Sequence, residues 1–338
     1  MAEWQHAGMP GYKGPLHRGP DDWPIPFQPV WGPDDSLWRK IECLLARGTL
    51  GVIGRLPEFV LGPLIGMLAR IGRRVDKRHA DAARVFLEQA LGPLSKKDRE
   101  ERVLQAYRHF LRVVVDGHRW DRIVPWDRTL EHFEIEWSED AKRVVEQQKG
   151  CMLVSAHLGN WEAMLTLGAW LGFEPAFAVA KPMKSRPMSK ATQASREKRG
   201  IRLLPRRGAM AAVPKIFAEA GSLGLLLDQR ARVKPVYAPF FGRNARCDRS
   251  AGVLVRRAKV PVVVLFCTYL DKIKPSFRVE FAGVLWPEDV AGAAPEEIAA
   301  KINGWFEDAV RRYPDQYFWL HDRYRDTPLT DPGREASR

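Results

Sequence analysis

The stretch Cys151–Glu162, CMLVSAHLGNWE, decides the fold class, because a short apolar run ends there at a histidine and a glycine-containing turn. Such a run, bounded by turn residues, is typical of a strand that is buried on both faces. The segment Glu162–Leu171 that follows has helical character. We therefore interpret this stretch as the strand, turn and helix start of one α/β unit.

The same alternation of short strands and helices continues along the chain from about residue 130. Candidate helices are Glu162–Leu171, Met188–Arg199 and Met210–Ala220. The candidate strands are Phe133–Trp137, Met152–Ala156, Phe177–Ala180, Arg202–Leu204, Leu223–Leu227, Val262–Tyr269 and Phe277–Phe281. This order predicts an α/β fold with a mostly parallel central sheet flanked by helices.

Composition divides the 338 residues into four parts. Residues 1–36 form a flexible tail rich in Pro, Gly and Trp, whose tryptophans could dock on the domain or at a membrane interface. Residues 37–128 form a helical region, in which Ser95 is expected to cap a helix. Residues 129–326 form the α/β core, and residues 327–338 a disordered tail.

Residues 37–75 combine apolar clusters with basic residues and read as two broken amphipathic helices. Segments of this kind can lie in a membrane interface without crossing it. The alternative is an ordinary helical hairpin that covers the core. The basic residues in question are Arg39, Lys40, Arg47, Arg55, Arg70, Arg73 and Arg74.

The formal net charge of +13 implies a polyanionic partner, such as an anionic membrane, an acidic protein or a nucleic acid. No zinc-finger, RNP or KH pattern is present, so we expect no nucleic acid. The four cysteines are far apart and contain no CxxC pair, which argues against a disulfide framework or a metal site. We expect neither a signal peptide nor a spanning helix.

The pair His157 and Glu162 is the candidate for acid–base chemistry. Three H-x4-[DE] pairs occur, and about one is expected by chance, but only this pair stands at the mouth of a predicted strand. If Glu162 folds back from the first helical turn, its carboxylate can fix the imidazole tautomer and leave the other nitrogen as a base. Gly159 permits a tight turn, and amides at the helix start favour a developing negative charge. The alternative is a His–Glu pair with only a capping or packing role.

This block and several later ones resemble one known family. SAHLGNWE is similar to the H-x4-[DE] block of the glycerolipid acyltransferases, in the form found in the bacterial lipid A biosynthesis (lauroyl/myristoyl) acyltransferases. The blocks AKPMKSRP, GIRLLPRRGA, LLLDQR, APFFGRNA and YPDQYFWLHDRYR follow in the family's order, and the resemblance covers roughly residues 40–325. It implies a glycerol-3-phosphate acyltransferase-like fold with an N-terminal membrane-associating segment.

The resemblance implies roles for particular residues. His157 would be the base and Glu162 its partner, and Asn160 would shape the turn. Substrate-binding positions would be Gly159, Asn160, Lys181, Arg186, Asp228, Gln229 and Arg230. The family usually has Arg, with Asn a few residues on, where this chain has Lys181 and Ser185, which leaves the acceptor's identity open. Cys247 stands near a position where threonine is expected.

The implied function is a membrane-associated O-acyltransferase that needs no cofactor or metal. Acyl carrier protein would supply the acyl group, and a hydroxyl of a lipid A precursor, a glycolipid, would accept it. No G-x-S-x-G motif is present, which favours direct attack without an acyl-enzyme.

The basic run from Lys181 to Arg207 could dock the carrier protein or meet anionic headgroups. The implied location is the cytoplasmic face of the inner membrane, as a peripheral or monotopic protein. Alternatives are another acceptor (a lysophospholipid, an aminolipid or a phosphoinositol mannoside) and a non-catalytic basic binding protein.

Overall fold

A computed structural model describes residues 24–147, 149–173 and 175–327. The predictions for residues 1–23, including Trp4 and Trp23, and for residues 328–338 lie outside this part of the chain.

The region before the sheet is helical. Its helices are α1 (Leu37–Arg55), α2 (Glu58–Val75), α3 (Lys77–Leu91), α4 (Lys96–His118) and the short α5 (Trp120–Ile123), followed by a 3-10 segment, Trp126–His132. Ser95 caps α4 as expected, because its side chain accepts a hydrogen bond from the amide of Asp98.

A seven-stranded sheet forms the centre of the molecule, in the spatial order β1-β9-β8-β2-β5-β3-β4. Its strands are β1 (Phe133–Glu136), β2 (Cys151–Ser155), β3 (Ala176–Ala180), β4 (Ile201–Pro205), β5 (Ser222–Leu226), β8 (Val262–Asp271) and β9 (Ser276–Leu285). Strands β8, β2, β5, β3 and β4 are parallel to one another. Strand β9 is antiparallel to β8, and β1 is parallel to β9. All seven strands of the sequence prediction, and the mostly parallel sheet, are confirmed.

Helices cover both faces of the sheet. They are α6 (Glu139–Glu146), α7 (Trp161–Trp170), α8 (Arg186–Glu197), α9 (Ala209–Ala218), α10 (Ser250–Ala258) and α11 (Pro295–Arg312), with short 3-10 turns at Glu288–Val290 and Pro314–Gln316. The apolar run of β2 is buried on both sides, since Met152 and Val154 belong to one core cluster while Cys151 and Leu153 pack in the other. This arrangement explains why the strand reads as continuous apolar sequence.

A two-stranded antiparallel ribbon of β6 (Val236–Phe240) and β7 (Arg243–Cys247) packs beside α11. These two strands were not predicted, because RNARC in β7 is too polar to read as a buried strand. The side chain of Asn303 fastens the ribbon, since its amide donates to the carbonyl of Pro239.

The described end of the predicted tail lies against α8. The amide of Val30 donates to the side chain of Gln193 (2.9 Å), and that side chain donates to the carbonyl of Gln28 (2.8 Å). Gly32 is required there, because a Cβ would stand 1.9 Å from the carbonyl oxygen of Met183. This segment is therefore part of the folded structure and lies over strands β3 and β4.

Helices α1 and α2 expose large apolar side chains at helical spacing. Exposed apolar residues on these helices are Leu37, Trp38, Ile41, Leu44, Leu45, Val52, Phe59, Val60, Met67, Ile71 and Val75. An apolar patch of this extent on a water-soluble surface marks an interaction site. Among the described residues, no helix has both the length and the apolar character to cross a membrane.

Candidate active site

The turn after β2 has a backbone shape that only glycine adopts easily. Gly159 has φ +62°, and a Cβ at this position would stand 2.0 Å from the carbonyl oxygen of Cys267. The close approach lets β8 hold the turn directly, since the amide of Asn160 donates to that same oxygen (2.7 Å). Any larger residue would push the turn away from β8.

The C-terminal segment holds the turn from its other side. The amide of Gly159 donates to the carbonyl of Gln316 (2.8 Å), and the amide of Phe318 donates to the carbonyl of His157 (3.0 Å). The side chain of Gln316 in turn bonds both backbone groups of Tyr269. The amides of Gly159 and Asn160 are therefore bonded to carbonyls and are not available to a developing oxyanion.

The carboxylate beside His157 belongs to Asp228. Nδ1 of the imidazole lies 2.7 Å from Oδ1 of Asp228, and the backbone amide of His157 donates to Oδ2 (3.0 Å). Asp228 is 2% exposed. Burial opposes its ionisation, but the contacts with His157 outweigh burial and hold the pKa of Asp228 below its usual value. An ionised Asp228 accepts from Nδ1–H and leaves the lone pair on Nε2.

The Nε2 atom of His157 meets the side-chain amide of Gln229 at 3.3 Å. Next to it, the backbone amide of Arg230 donates to Nε2 of His321 (3.0 Å). Burial, followed by neighbouring cations, lowers the pKa of His321 to about 4, so its imidazole is neutral and can accept this bond. The Arg230 guanidinium is paired with Asp326, so His321 and Asp326, a second pair with the H-x4-[DE] spacing, border the site.

Glu162 points elsewhere, and its expected contact with His157 is corrected. Its two carboxylate oxygens bind the Arg196 guanidinium at 2.6 and 3.2 Å, and its Cγ lies against Gly117. Position explains this outcome: the first turn of α7 directs Glu162 toward α4 and α8, whereas the strand end after β5 brings Asp228 beside the imidazole.

Asn160 connects the turn to a buried ionic cluster. Its side chain donates to the hydroxyl of Tyr269 (2.9 Å), which donates to Asp116 (2.8 Å). Arg112 and Arg119 both bind Asp116, and both also reach Glu58 at the start of α2. The shape of the turn is thus tied to the first residue of the exposed helix. This link could not be predicted from the sequence, because its members come from four separate elements.

His109 supports the turn from below. Its Nε2 lies 3.0 Å from the carbonyl oxygen of Gly159, which requires Nε2–H to be the donor. Burial first, and then the nearby Lys272 charge, lower the pKa of His109 to about 3. The imidazole is therefore neutral at physiological pH and acts as a fixed hydrogen-bond donor to the turn.

A cleft of about 540 Å³ opens beside this site. Trp161 and Phe110 line it, and the Trp161 ring lies 5.2 Å from the His157 ring, so one wall of the cleft packs against the imidazole. Its walls come from α1, α4, α7, α8 and the loop after β3. Further apolar lining residues are Val30, Leu50, Val113, Val114, Met183 and Met188, and charged ones are Arg47, Glu162, Lys181, Arg196 and Arg199. Such a mixture suits a ligand with a long apolar part and an anionic group.

The remaining predicted site residues divide between the cleft and its surroundings. Lys181 lines the cleft at the end of β3. The Arg186 guanidinium donates instead to the carbonyls of Gly32 and Pro33. The basic run after Lys181 is only partly a solvated face, because Arg196 binds Glu162 and Lys198 binds Asp121.

We predict that His109 makes stability fall as the pH is lowered. Its folded pKa of about 3 lies below the ordinary value, so between about pH 6.5 and 3 the unfolded chain binds a proton that the folded chain refuses. This costs about 1.4 kcal/mol of unfolding free energy per pH unit within that window. His109→Gln keeps a donor without titrating and should reduce the slope by this amount, measured by urea unfolding from pH 6.5 to 4.5. Between pH 7 and 8 the unfolding free energies of the two proteins should depend on pH in the same way. If His109→Gln kept the native slope between pH 6.5 and 4.5, the assignment would be contradicted.

Comparison with known proteins places the chain in a family. Residues 38–326 match the family model described as bacterial lipid A biosynthesis acyltransferase. The chain is 26% identical over 290 residues to the lipid A biosynthesis palmitoleoyltransferase of Escherichia coli (strain K12). The aligned region covers 83% of this chain and 90% of the relative. The lipid A biosynthesis acyltransferase of Shigella flexneri is similar to the same extent. The resemblance in the sequence blocks is confirmed: the chain is an acyltransferase that belongs to the bacterial lipid A biosynthesis acyltransferase family.

Proposed function

We propose that this enzyme moves a fatty acyl group from an acyl carrier protein thioester to a hydroxyl of a lipid A precursor, with His157 as the general base. The observation that carries the proposal is the imidazole itself. A buried carboxylate holds its Nδ1, and the ring of Trp161, which also lines the cleft, lies 5.2 Å from the imidazole. Family membership supports the acceptor class, since both named relatives act in lipid A biosynthesis.

The reaction needs no covalent enzyme intermediate. The acceptor hydroxyl displaces the Gln229 amide from Nε2 of His157 and gives its proton to that nitrogen as its oxygen attacks the thioester carbonyl. The tetrahedral intermediate collapses, the C–S bond breaks, and the imidazolium returns the proton to the departing sulfur. Cys151 and Cys267 cannot act as nucleophiles in this scheme, because burial raises the pKa of both thiols and keeps them protonated.

Asp228 is the positioning residue in this mechanism. Because its carboxylate accepts from Nδ1–H, the lone pair stays on the nitrogen that must take the proton. Glu162, together with Arg196, shapes the cleft wall next to the acceptor. Lys181 supplies a positive charge at the mouth of the cleft, suited to an acceptor phosphate.

The carrier protein would dock near the carboxyl ends of β3 and β4. Four basic side chains that follow these strands are exposed, namely Lys181, Lys184, Arg206 and Arg207. Exposed cations at this edge can attract an acidic protein and orient its thioester toward the site.

The exposed apolar face of α1 and α2 would rest in the cytoplasmic leaflet of the inner membrane. Arg47 and Leu50 of α1 also line the cleft, so a lipid could pass from the bilayer into the site without crossing water. The basic residues on the same helices favour an anionic surface. This arrangement is a peripheral or monotopic association by amphipathic helices.

We predict that loss of the Asp228 carboxylate and loss of the Glu162 carboxylate affect different kinetic constants. Asp228→Asn should lower kcat by about 10²–10⁴-fold with little change in KM, because the imidazole loses the partner that fixes its tautomer. Glu162→Gln should instead raise KM and leave kcat within about tenfold, because it disturbs only the cleft wall. Thermal unfolding of both variants checks that each is folded. A collapse of kcat in Glu162→Gln, with normal turnover in Asp228→Asn, would contradict this assignment.

The transfer itself is tested with purified enzyme, acyl carrier protein charged with C12–C16 chains, and a lipid A precursor, with products read by mass spectrometry. We expect acyl gain on the precursor, and a loss of about 10²–10⁴-fold in His157→Ala. The free coenzyme A thioesters serve as a donor control and should react more slowly.

A panel of lysolipids tests the acceptor in the same assay. Acyl gain only on a lysolipid would overturn lipid A as the acceptor while keeping the base. Undiminished transfer by a folded His157→Ala protein would overturn the mechanism.

A further inference from the structure

We infer that the tip of the β8–β9 hairpin, Leu270–Pro275, inserts into the anionic bilayer beside α2 as a second membrane contact. This inference rests on the membrane association proposed above and adds a site outside the amphipathic helices. The starting observation is that the tip exposes two apolar side chains to solvent: Ile273 is 70% exposed, and Leu270 is 40% exposed. An isoleucine at the end of a protruding hairpin makes no contribution to the core.

The tip stands at the same edge of the sheet as the proposed base. Because β8 runs parallel to β2, both strands end at the edge where His157 lies. Gly159 pairs with Cys267, and β8 then continues to Asp271, past the catalytic turn. The hairpin therefore projects outward from the edge at which a lipid substrate must arrive.

One arginine fixes the tip beside the exposed helix. Arg112 donates to the carboxylate of Glu58 (2.8 Å) and also to the carbonyl of Lys272. The next residue on each side is the exposed apolar one, Phe59 (79% exposed) on α2 and Ile273 on the hairpin. The two apolar side chains consequently belong to one continuous surface, attached to a buried ionic cluster that keeps their spacing fixed.

The local charges favour an anionic bilayer as the occupant. Lys272 and Lys274 flank Ile273; the Lys272 ammonium lies 6.0 Å from the centre of the Tyr269 ring, so the exposed Lys274 is the cation placed for a headgroup. The one acidic residue of the tip, Asp271, is exposed, and its Oδ1 is engaged within the turn, where it accepts from the backbone amides of Ile273 (2.6 Å) and Lys274 (3.2 Å). An apolar residue between two lysines suits the boundary between acyl chains and anionic headgroups. Continuity with the apolar face of α1 and α2 favours lipid over a protein partner.

Cysteine labelling can locate the tip directly. The native thiols Cys43, Cys151, Cys247 and Cys267 are all buried, so an introduced surface cysteine is selectively labelled with an environment-sensitive nitrobenzoxadiazole probe. Three variants are compared: Ile273→Cys at the tip, Phe59→Cys on α2, and Glu288→Cys. The exposed Glu288 follows β9 at the opposite edge of the sheet and is the control.

Vesicles of equal parts phosphatidylglycerol and phosphatidylcholine should shift the emission of the probes at 273 and 59 to the blue, with a severalfold rise in intensity. The probe at 288 should not respond. A response at 59 without one at 273 would overturn this inference and leave the helical membrane face intact. No response at either position would overturn both, and a response at all three would contradict the orientation.

Binding by unlabelled protein gives an independent readout. Ile273→Asp should reduce the vesicle-bound fraction severalfold in cosedimentation, whereas Ile273→Leu, the matched apolar control, should bind as the native chain does. Because residue 273 is exposed, both variants should keep the native unfolding temperature. Equal binding by Ile273→Asp and the native chain would count against insertion of the tip.

Discussion

The hydrogen-bonded pair of His157 and Asp228 joins the ends of two neighbouring strands, and the site is built around it. In the register of β2 with β5, Ser155 lies opposite Leu226, so the residues two positions further on, His157 and Asp228, also face each other. The buried carboxylate is acceptable only because it receives both the imidazole and the backbone amide of His157. A buried charge that lost these donors would cost several kcal/mol. Sheet register, burial and imidazole orientation therefore depend on one another.

The surrounding structure keeps this pair in position. The glycine turn is held between the end of β8 and the C-terminal segment, with His109 bonded to its carbonyl. The C-terminal signature block thus has a structural meaning, since Gln316 fixes Tyr269 and Trp319 is buried in the core. The ionic cluster around Asp116 extends the same support to α2 and the hairpin tip.

Much of this fold could be predicted from the sequence, because strands buried on both faces leave apolar runs that end at turn residues, as in the stretch before His157. The ribbon at Arg243–Cys247 could not, since its polar residues hide its pairing. The local pattern indicated His157, the proposed base, but not its carboxylate partner. Asp228 is 71 residues away and becomes a neighbour only through the strand order. Local spacing instead favoured Glu162, whose pairing with Arg196 depends on how α7 and α8 pack.

The central claim, that Asp228 sets the imidazole tautomer, is tested most directly by nitrogen NMR of protein labelled with ¹⁵N in its histidine rings. The His157 signals are those missing from the His157→Ala spectrum. At alkaline pH the account predicts a protonated Nδ1 and an unprotonated Nε2 in the native protein, the same pattern in Glu162→Gln, and loss of that pattern in Asp228→Asn. An unchanged pattern in Asp228→Asn, or its loss in Glu162→Gln, would contradict the account.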